Sequence, residues 1–149
     1  MKRRSVTRDA PPEPTFFTDR DLGRKFPRLL RDGGLRVEPF HRHFDQATPD
    51  TEWLTAIGDR GWVAITHDKN IRYRSLETRA LMLAGAPTFV MIGEHPYTAL
   101  ASCFMRVRPK VLRLLNKQDG PFIAKIYTAR DDVKLWLTYE QWSTPHGRG

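Results

Sequence analysis

The chain has 149 residues, a length typical of a single domain with one core. No apolar run approaches the roughly 18–20 residues that a membrane-spanning helix needs. The basic start of the chain is not followed by the apolar segment of a secretory signal. A single cysteine, Cys103, excludes an internal disulfide and a cysteine-rich zinc site. We therefore expect a cytoplasmic protein without a membrane partner.

The charge of the chain gives the first indication of function. Lys and Arg number 25 against 17 Asp and Glu, a formal net charge of +8. Such a surplus attracts polyanions, among them nucleic acid, acidic lipid and acidic proteins. A basic surface without a functional partner is the alternative, so the positions of the few acids become informative.

Composition predicts three segments along the chain. Residues 1–14 combine four basic residues with three prolines and predict a flexible basic tail. Residues 15–142 carry the periodic apolar patterns of a folded domain, and residues 143–149 are expected to be a disordered tail.

The first half of the folded part begins with a predicted strand at 15–18. Helical spacing of apolar residues predicts a helix over about 20–32, which Gly33-Gly34 would end. A second strand is predicted at 35–39. The next helix is expected to start at Pro49, because Pro and acidic residues favour the first helical turn.

The second half continues the alternation of strand and helix. An apolar run at 62–66 predicts a strand buried on both faces, followed by a helix over about 75–84 and a strand at 87–92. A long amphipathic helix is predicted over about 97–117. Its Pro109 is expected to kink or break it.

The last predicted elements are strands at 123–127 and 133–137, which we expect to pair as a hairpin. The alternating order of strands and helices predicts an α/β fold whose mostly parallel sheet has helices on both faces. In such sheets, chemistry is found at the carboxyl ends of the strands.

Three acids occupy the expected reactive positions. Asp19 follows the first strand, Asp50 opens the second helix, and Asp68 follows the strand at 62–66. Clustered carboxylates repel one another unless a cation lies among them, and Mg²⁺ and Mn²⁺ prefer oxygen ligands. Each acid also has a purely structural interpretation, as a helix cap at the first two positions or as a turn residue at the third.

Three segments carry a resemblance to a known family. They are residues 16–23 (FFTDRDLG), 49–54 (PDTEWL) and 61–74 (GWVAITHDKNIRYR). In motif order and spacing they resemble PIN-like domains, and most closely the VapC-type toxins of bacterial toxin–antitoxin systems. The resemblance implies a three-layer α/β/α sandwich with a C-terminal strand pair. It also implies an Mg²⁺- or Mn²⁺-dependent endoribonuclease that cleaves RNA phosphodiesters with metal-activated water.

The resemblance also implies roles for particular residues. Asp19, Asp50 and Asp68 match the catalytic, metal-binding acids of the family. Asn70 stands where related proteins often carry a fourth acid, and its side-chain oxygen can still bind a metal. Three other acids are candidates to supply the missing carboxylate; these are Asp21, Glu52 and Glu77. Thr66 could hydrogen-bond a carboxylate, although an ordinary strand residue is favoured.

A basic stretch follows the third acid directly. Lys69, Arg72 and Arg74 are candidate phosphate contacts, because cationic side chains and Arg in particular bind phosphate oxygens well. Tyr73 is a candidate for stacking on an RNA base. The alternatives are a solvated loop for the basic residues and packing against the sheet for the tyrosine.

The resemblance implies RNA as substrate and a cognate antitoxin protein as partner, and it is compatible with a homodimer. The rival hypothesis is a basic nucleic-acid-binding or protein-interaction module without catalytic activity. An uncharged Asn70 at a usually acidic position favours that rival.

Overall fold

The protein is described here from a computed structural model covering residues 13–144. The strands are β1 (Phe16–Thr18), β2 (Val37–Pro39), β3 (Val63–Thr66), β4 (Thr88–Ile92), β5 (Phe122–Tyr127) and β6 (Asp132–Thr138). They form one sheet in the order β2-β1-β3-β4-β5-β6. All neighbouring pairs are parallel except β5 and β6, which form the predicted antiparallel hairpin.

The helices connect the strands and cover both faces of the sheet. They are α1 (Lys25–Asp32), α2 (Asp50–Asp59), α3 (Ser75–Ala84), α4 (Tyr97–Lys117) and α5 (Tyr139–Ser143). Short 3₁₀ turns lie at Arg20–Leu22, Phe40–Arg42 and Ile71–Tyr73. Within the described residues, no helix is both long and apolar enough to cross a membrane.

Two cores hold the layers together, one on each face of the sheet. Successive side chains of a strand point to opposite faces, so Phe16 and Phe17 enter different cores. Phe16 packs with residues of α1 and α4, whereas Phe17 packs with residues of α2 and α3. The predicted fold class, an α/β/α sandwich with a mostly parallel sheet and a C-terminal strand pair, is confirmed.

The predicted helix over residues 20–32 is wrong in its first part. A 3₁₀ turn covers Arg20–Leu22, and α1 begins only at Lys25. Gly23 separates the two with a φ of +64°, and a Cβ there would lie 3.1 Å from the Tyr97 ring. A side chain at this position would therefore be strained, and the break keeps the segment after β1 beside the end of β3.

The predicted break at Pro109 does not occur, because α4 runs without interruption from Tyr97 to Lys117. Pro109 lies on the exposed side of the helix, where water can satisfy the carbonyl that loses its partner. Buried Val107 and Val111 hold the helix against the sheet on either side of it.

The two predicted tails, residues 1–14 and 143–149, lie mostly outside the residues that the structure describes. Residues 1–12 and 145–149 lie outside the described residues, so both tails stay predictions. Glu13 is described and forms an ion pair with Arg108 of α4. The sequence did not predict α5, which Thr138 and Gln141 begin with a reciprocal capping box.

Candidate active site

The first acid of the site follows β1 directly and is almost fully buried. The Asp19 side chain caps the 3₁₀ turn by accepting a hydrogen bond from the Arg20 backbone N–H, with Oδ1 at 2.6 Å. Its Oδ2 accepts a bond from the Thr66 hydroxyl at 2.9 Å, and the residue is 6% exposed. The structural interpretation of Asp19 as a cap is therefore confirmed, and it coexists with a position at the sheet edge.

The second acid reaches the same hydroxyl from the 3₁₀ turn. Asp21 Oδ2 lies 3.1 Å from Thr66 Oγ1, and both Asp21 oxygens accept bonds from the His67 backbone N–H. The Thr66 hydroxyl has one hydrogen, so it donates to only one of the two carboxylates at a time. Two acids thus meet at a group that can satisfy only one of them.

The crowding and burial of these acids raise the pKa values of Asp19 and Asp21. Burial and the nearby negative charges of Asp21 and Asp50 together raise the pKa of Asp19 to about 7, against the opposing hydrogen bonds from Thr66 and Arg20. Burial also raises the pKa of Asp21, against the opposing effect of its hydrogen bonds from His67 and Thr66. The site therefore disfavours two ionised carboxylates unless positive charge is added.

The third acid is connected to the same threonine through its backbone. The Asp68 N–H donates to Thr66 Oγ1 at 3.1 Å. Its Oδ1 accepts from the Asn70 N–H at 3.0 Å, which is the predicted turn interaction, and its Oδ2 forms an ion pair with Arg74. Thr66, at the end of β3, therefore brings Asp19, Asp21 and Asp68 to one edge of the sheet.

Asp50 is held differently from the other three acids. Its Oδ1 accepts bonds from Arg20 Nη2 at 2.9 Å and from Trp53 Nε1 at 2.8 Å. Arg20 Nε also lies 3.8 Å from Asp19 Oδ1, so the guanidinium bridges the two acids. Pro49 occupies the cap position of α2, and Asp50 is its first residue, so the capping interpretation of Asp50 is wrong.

Within residues 13–144, the other proposed ligands make no hydrogen bond to the Thr66 hydroxyl. Glu52 is exposed and lines a shallow surface pocket with residues of the segment 41–48. Glu77 is half-buried in the first turn of α3. Asn70 is exposed and contacts Asp68 through its backbone N–H. Of these candidates for a further ligand, Asp21 alone is hydrogen-bonded to the Thr66 hydroxyl.

The predicted substrate-binding residues follow Asp68 around the sheet edge. Lys69 and Arg74 are exposed, and the Arg72 guanidinium lies 5.5 Å from the centre of the Tyr73 ring. Tyr73 is 72% exposed and meets Trp136 of β6 edge to face, with ring centres 5.8 Å apart. The tyrosine thus touches the hairpin but keeps most of its surface in solvent.

Comparison with protein families matches residues 14–93 to the PIN-like domain. That range is more than half of the chain, and it contains all the acids of the site together with Thr66.

The chain belongs to the PIN-like domain family.

A relative supports the same assignment. The chain is 35% identical over 121 residues to "Putative ribonuclease VapC45" of Mycobacterium tuberculosis strain H37Rv, an alignment that covers 77% of this chain and 87% of the relative. No solved structure matches the chain significantly. The resemblance read from the three sequence segments is therefore confirmed.

The residues of this PIN-like domain fit a divalent cation. Across residues 13–144 no three His, Cys, Asp or Glu side chains are already grouped as a ligand set. The pair that is formed, Asp19 and Asp21, offers only oxygen donors, and Mg²⁺ commonly takes one or two carboxylates with water and substrate phosphate. A cation would also relieve the repulsion between buried Asp19 and half-buried Asp21, which share one hydroxyl.

Two residues of the PIN-like site were underestimated by sequence reasoning. Thr66 is not an ordinary strand residue, because its hydroxyl contacts two carboxylates. Its position two residues before Asp68 at a strand end was the available signal. Arg20 carried no signal, because its partners Gln46, Thr48 and Asp50 lie more than 25 residues away along the chain.

Proposed function

We propose that this PIN-like domain is a divalent-metal-dependent endoribonuclease and the toxin of a toxin–antitoxin pair. The observation that supports this most strongly is the meeting of Asp19 and Asp21 at the single hydroxyl of Thr66, beside Asp68. The name of the relative, a ribonuclease, points to the same reaction and to RNA as the substrate.

In the proposed reaction, water attacks the phosphorus of an RNA phosphodiester and one P–O bond breaks. A bound Mg²⁺ or Mn²⁺ supplies water activation and neutralises charge on the leaving oxygen. Asp19, Asp21 and Asp68 would hold the cation. Thr66 would orient the carboxylates of Asp19 and Asp21 through its hydroxyl. Asp50 would act through Arg20, because it hydrogen-bonds the guanidinium that lies beside Asp19.

The basic residues after Asp68 have a separate role in this proposal. Lys69, Arg72 and Arg74 would contact the phosphates on either side of the scissile bond. Arg74 already contacts a carboxylate oxygen of Asp68, so it lies where a phosphate near the site would be. A cognate antitoxin would silence the enzyme by covering this acidic and basic edge, and a homodimer in the cytoplasm is part of the same proposal.

Cleavage of structured and total RNA tests the proposal, with EDTA, Mg²⁺ or Mn²⁺ present. The variants Asp21→Asn and Asp68→Asn each remove one charge while preserving shape. Asp59→Asn is the matched control, because Asp59 is an exposed acid at the end of α2. We expect cleavage that requires the metal, falls at least about a hundredfold in the site variants and persists in the control.

Binding without cleavage is the outcome that contradicts the enzyme. If the wild type binds RNA and cuts none with either metal, the non-catalytic nucleic-acid-binding module becomes the better description. Calorimetric titration with Mn²⁺ adds a readout independent of turnover, since loss of binding in Asp21→Asn places the cation at the carboxylate pair.

A further inference from the structure

Two lysines face each other across the C-terminal hairpin. Lys125 of β5 and Lys134 of β6 are direct partners in the antiparallel register. Direct partners share a face of the sheet, and like charges placed opposite each other destabilise a strand pair. Lys125 Nζ lies 3.9 Å from the centre of the Trp136 ring, which offsets part of that cost. The two lysines therefore destabilise the hairpin, and they offer two adjacent positive charges to an anionic ligand.

Aromatic rings alternate with these cations on the same surface. We call this surface the hairpin patch; it consists of Arg72, Tyr73, Lys125, Tyr127, Lys134 and Trp136. Tyr73 bridges Arg72 to the edge of Trp136, and Lys125 lies between Trp136 and Tyr127, whose ring centre is 5.9 Å from its Nζ. The Tyr73 ring is exposed, whereas the rings of Tyr127 and Trp136 are half-buried. Cationic groups interleaved with accessible rings are typical of surfaces that bind single-stranded nucleic acid.

The acid at the turn of the hairpin, Asp132, lies beside a cation. Asp132 is the direct partner of Tyr127 at the turn of the hairpin. Its Oδ1 accepts a bond from the Val133 N–H, and its Oδ2 lies 3.8 Å from Arg130 Nε. The Arg130 guanidinium also lies 4.2 Å from the centre of the Tyr127 ring. The border of the patch therefore remains favourable to phosphate.

The hairpin patch begins at the candidate active site. Thr66, Val90 and Lys125 are in register across the neighbouring strands β3, β4 and β5. Two strand spacings separate Lys125 from Thr66, about 10 Å. Both residues belong to the face on which Val90 packs with α2 and α3 residues. On the other side, Tyr73 is the neighbour of Arg74, which pairs with Asp68.

We propose that the hairpin patch binds single-stranded RNA and leads it to the acidic site. This inference rests on the proposed ribonuclease function and deepens it by assigning the C-terminal hairpin as the surface that holds the RNA strand. The lysines and Arg72 would contact phosphates, while the exposed ring of Tyr73 would stack on a base. A duplex hides its base faces, so it could use the cations but not the rings.

Binding measured without turnover tests this proposal. Fluorescein-labelled oligouridylate and oligoadenylate are titrated with the whole protein in EDTA, at several salt concentrations, and followed by anisotropy. In the double variant Lys125→Gln/Lys134→Gln we expect a Kd about tenfold higher. We also expect the slope of log K against log salt to fall by about 1.4, the value for two lost phosphate contacts on a single strand.

The matched control removes the same charge elsewhere. Arg113→Gln/Lys117→Gln changes two exposed cations of α4, which packs on the opposite face of the sheet. We expect a Kd within about twofold of the wild type, because no contact with the strand is lost. The test variant removes a like-charge pair, so its thermal unfolding temperature should be unchanged or higher; a lower one would point to a structural role.

Tyr73→Leu separates stacking from charge. We expect its Kd for the single strands to rise about 5- to 100-fold, with the salt slope unchanged, and its affinity for a duplex to stay the same. Equal effects of the test and control variants, or a duplex bound as tightly as the single strands, would overturn the inference. RNA bound through the patch but never cut would leave the inference standing and remove the ribonuclease proposal.

Discussion

Arg20 Nη2 donates to Asp50 Oδ1 at 2.9 Å, so the residue that follows the first acid of the site holds the first residue of α2. The same guanidinium hydrogen-bonds the backbone carbonyls of Gln46 and Thr48 and lies 4.3 Å from the centre of the Phe40 ring. One side chain thus ties the end of β1, the segment before α2 and the start of α2 together.

Replacing Arg20 should loosen this arrangement. In Arg20→Met, two backbone carbonyls and Asp50 lose a donor, which we expect to cost about 1–3 kcal/mol of unfolding free energy. Urea denaturation measures it. Arg28→Met, an exposed residue of α1, is the control and should lie within about 0.5 kcal/mol of the wild type. Equal unfolding free energies of the two variants would show that the Arg20 hydrogen bonds do not stabilise the fold.

Removal of the Thr66 hydroxyl should lower the rate of RNA cleavage while the shape of the side chain is kept. Thr66→Val keeps the shape of the side chain but leaves Asp19 and Asp21 without their common donor. We expect RNA cleavage to fall at least tenfold, an effect of about 1.4 kcal/mol on the barrier. Thr66→Ser restores the hydroxyl and should recover most of the activity. Similar loss in both variants would mean that packing, and not the hydroxyl, is what the site needs.

The raised pKa of Asp19 should make the metal-free protein less stable as pH rises. The ordinary pKa of this group is 3.8, and burial together with the charges of Asp21 and Asp50 raises it to about 7, so the folded state binds the proton more tightly than the unfolded state between these values. The contribution of Asp19 to the unfolding free energy therefore falls as pH rises from about 4 to 7 and then levels off.

Thermal unfolding in EDTA across that pH range measures the effect. Asp19→Asn, which carries no proton to lose, should give a flatter profile than the wild type. A wild-type profile with the same slope as that of Asp19→Asn over this range would show that folding does not raise the pKa of Asp19. Mn²⁺ should restore stability near pH 7, because a cation stabilises the ionised pair.

The sequence predicted the sheet well because the central strands β3 and β4 are nearly continuous apolar runs and clear breaks separate the strands. It failed where a long-range contact decided the local structure. Gly23 ends the 3₁₀ turn with a φ of +64°, and the Tyr97 ring, 74 residues later in the chain, leaves little room for a Cβ there. Asp19 and Asp68 could be located because both follow the carboxyl end of a strand. Asp50 is hydrogen-bonded to Arg20 and not to Thr66. No local sequence pattern predicts that contact, because Arg20 and Asp50 lie far apart along the chain.

The ion pair between Arg74 and Asp68 should compete with metal binding. Arg74 contacts one carboxylate oxygen of Asp68, so a cation that uses this oxygen must displace the guanidinium. In Arg74→Gln we expect the Kd for Mn²⁺ to fall by about two- to fivefold, the size expected from the loss of an exposed ion pair. RNA cleavage should nevertheless slow, because a phosphate contact is lost with the same side chain.

Calorimetric titration with Mn²⁺ and cleavage assays at saturating metal measure the two effects separately. Arg79→Gln, an exposed residue of α3, is the matched control and should change neither. Weaker Mn²⁺ binding in Arg74→Gln would reverse the interpretation, because it would mean that Arg74 positions Asp68 for the cation instead of competing with it.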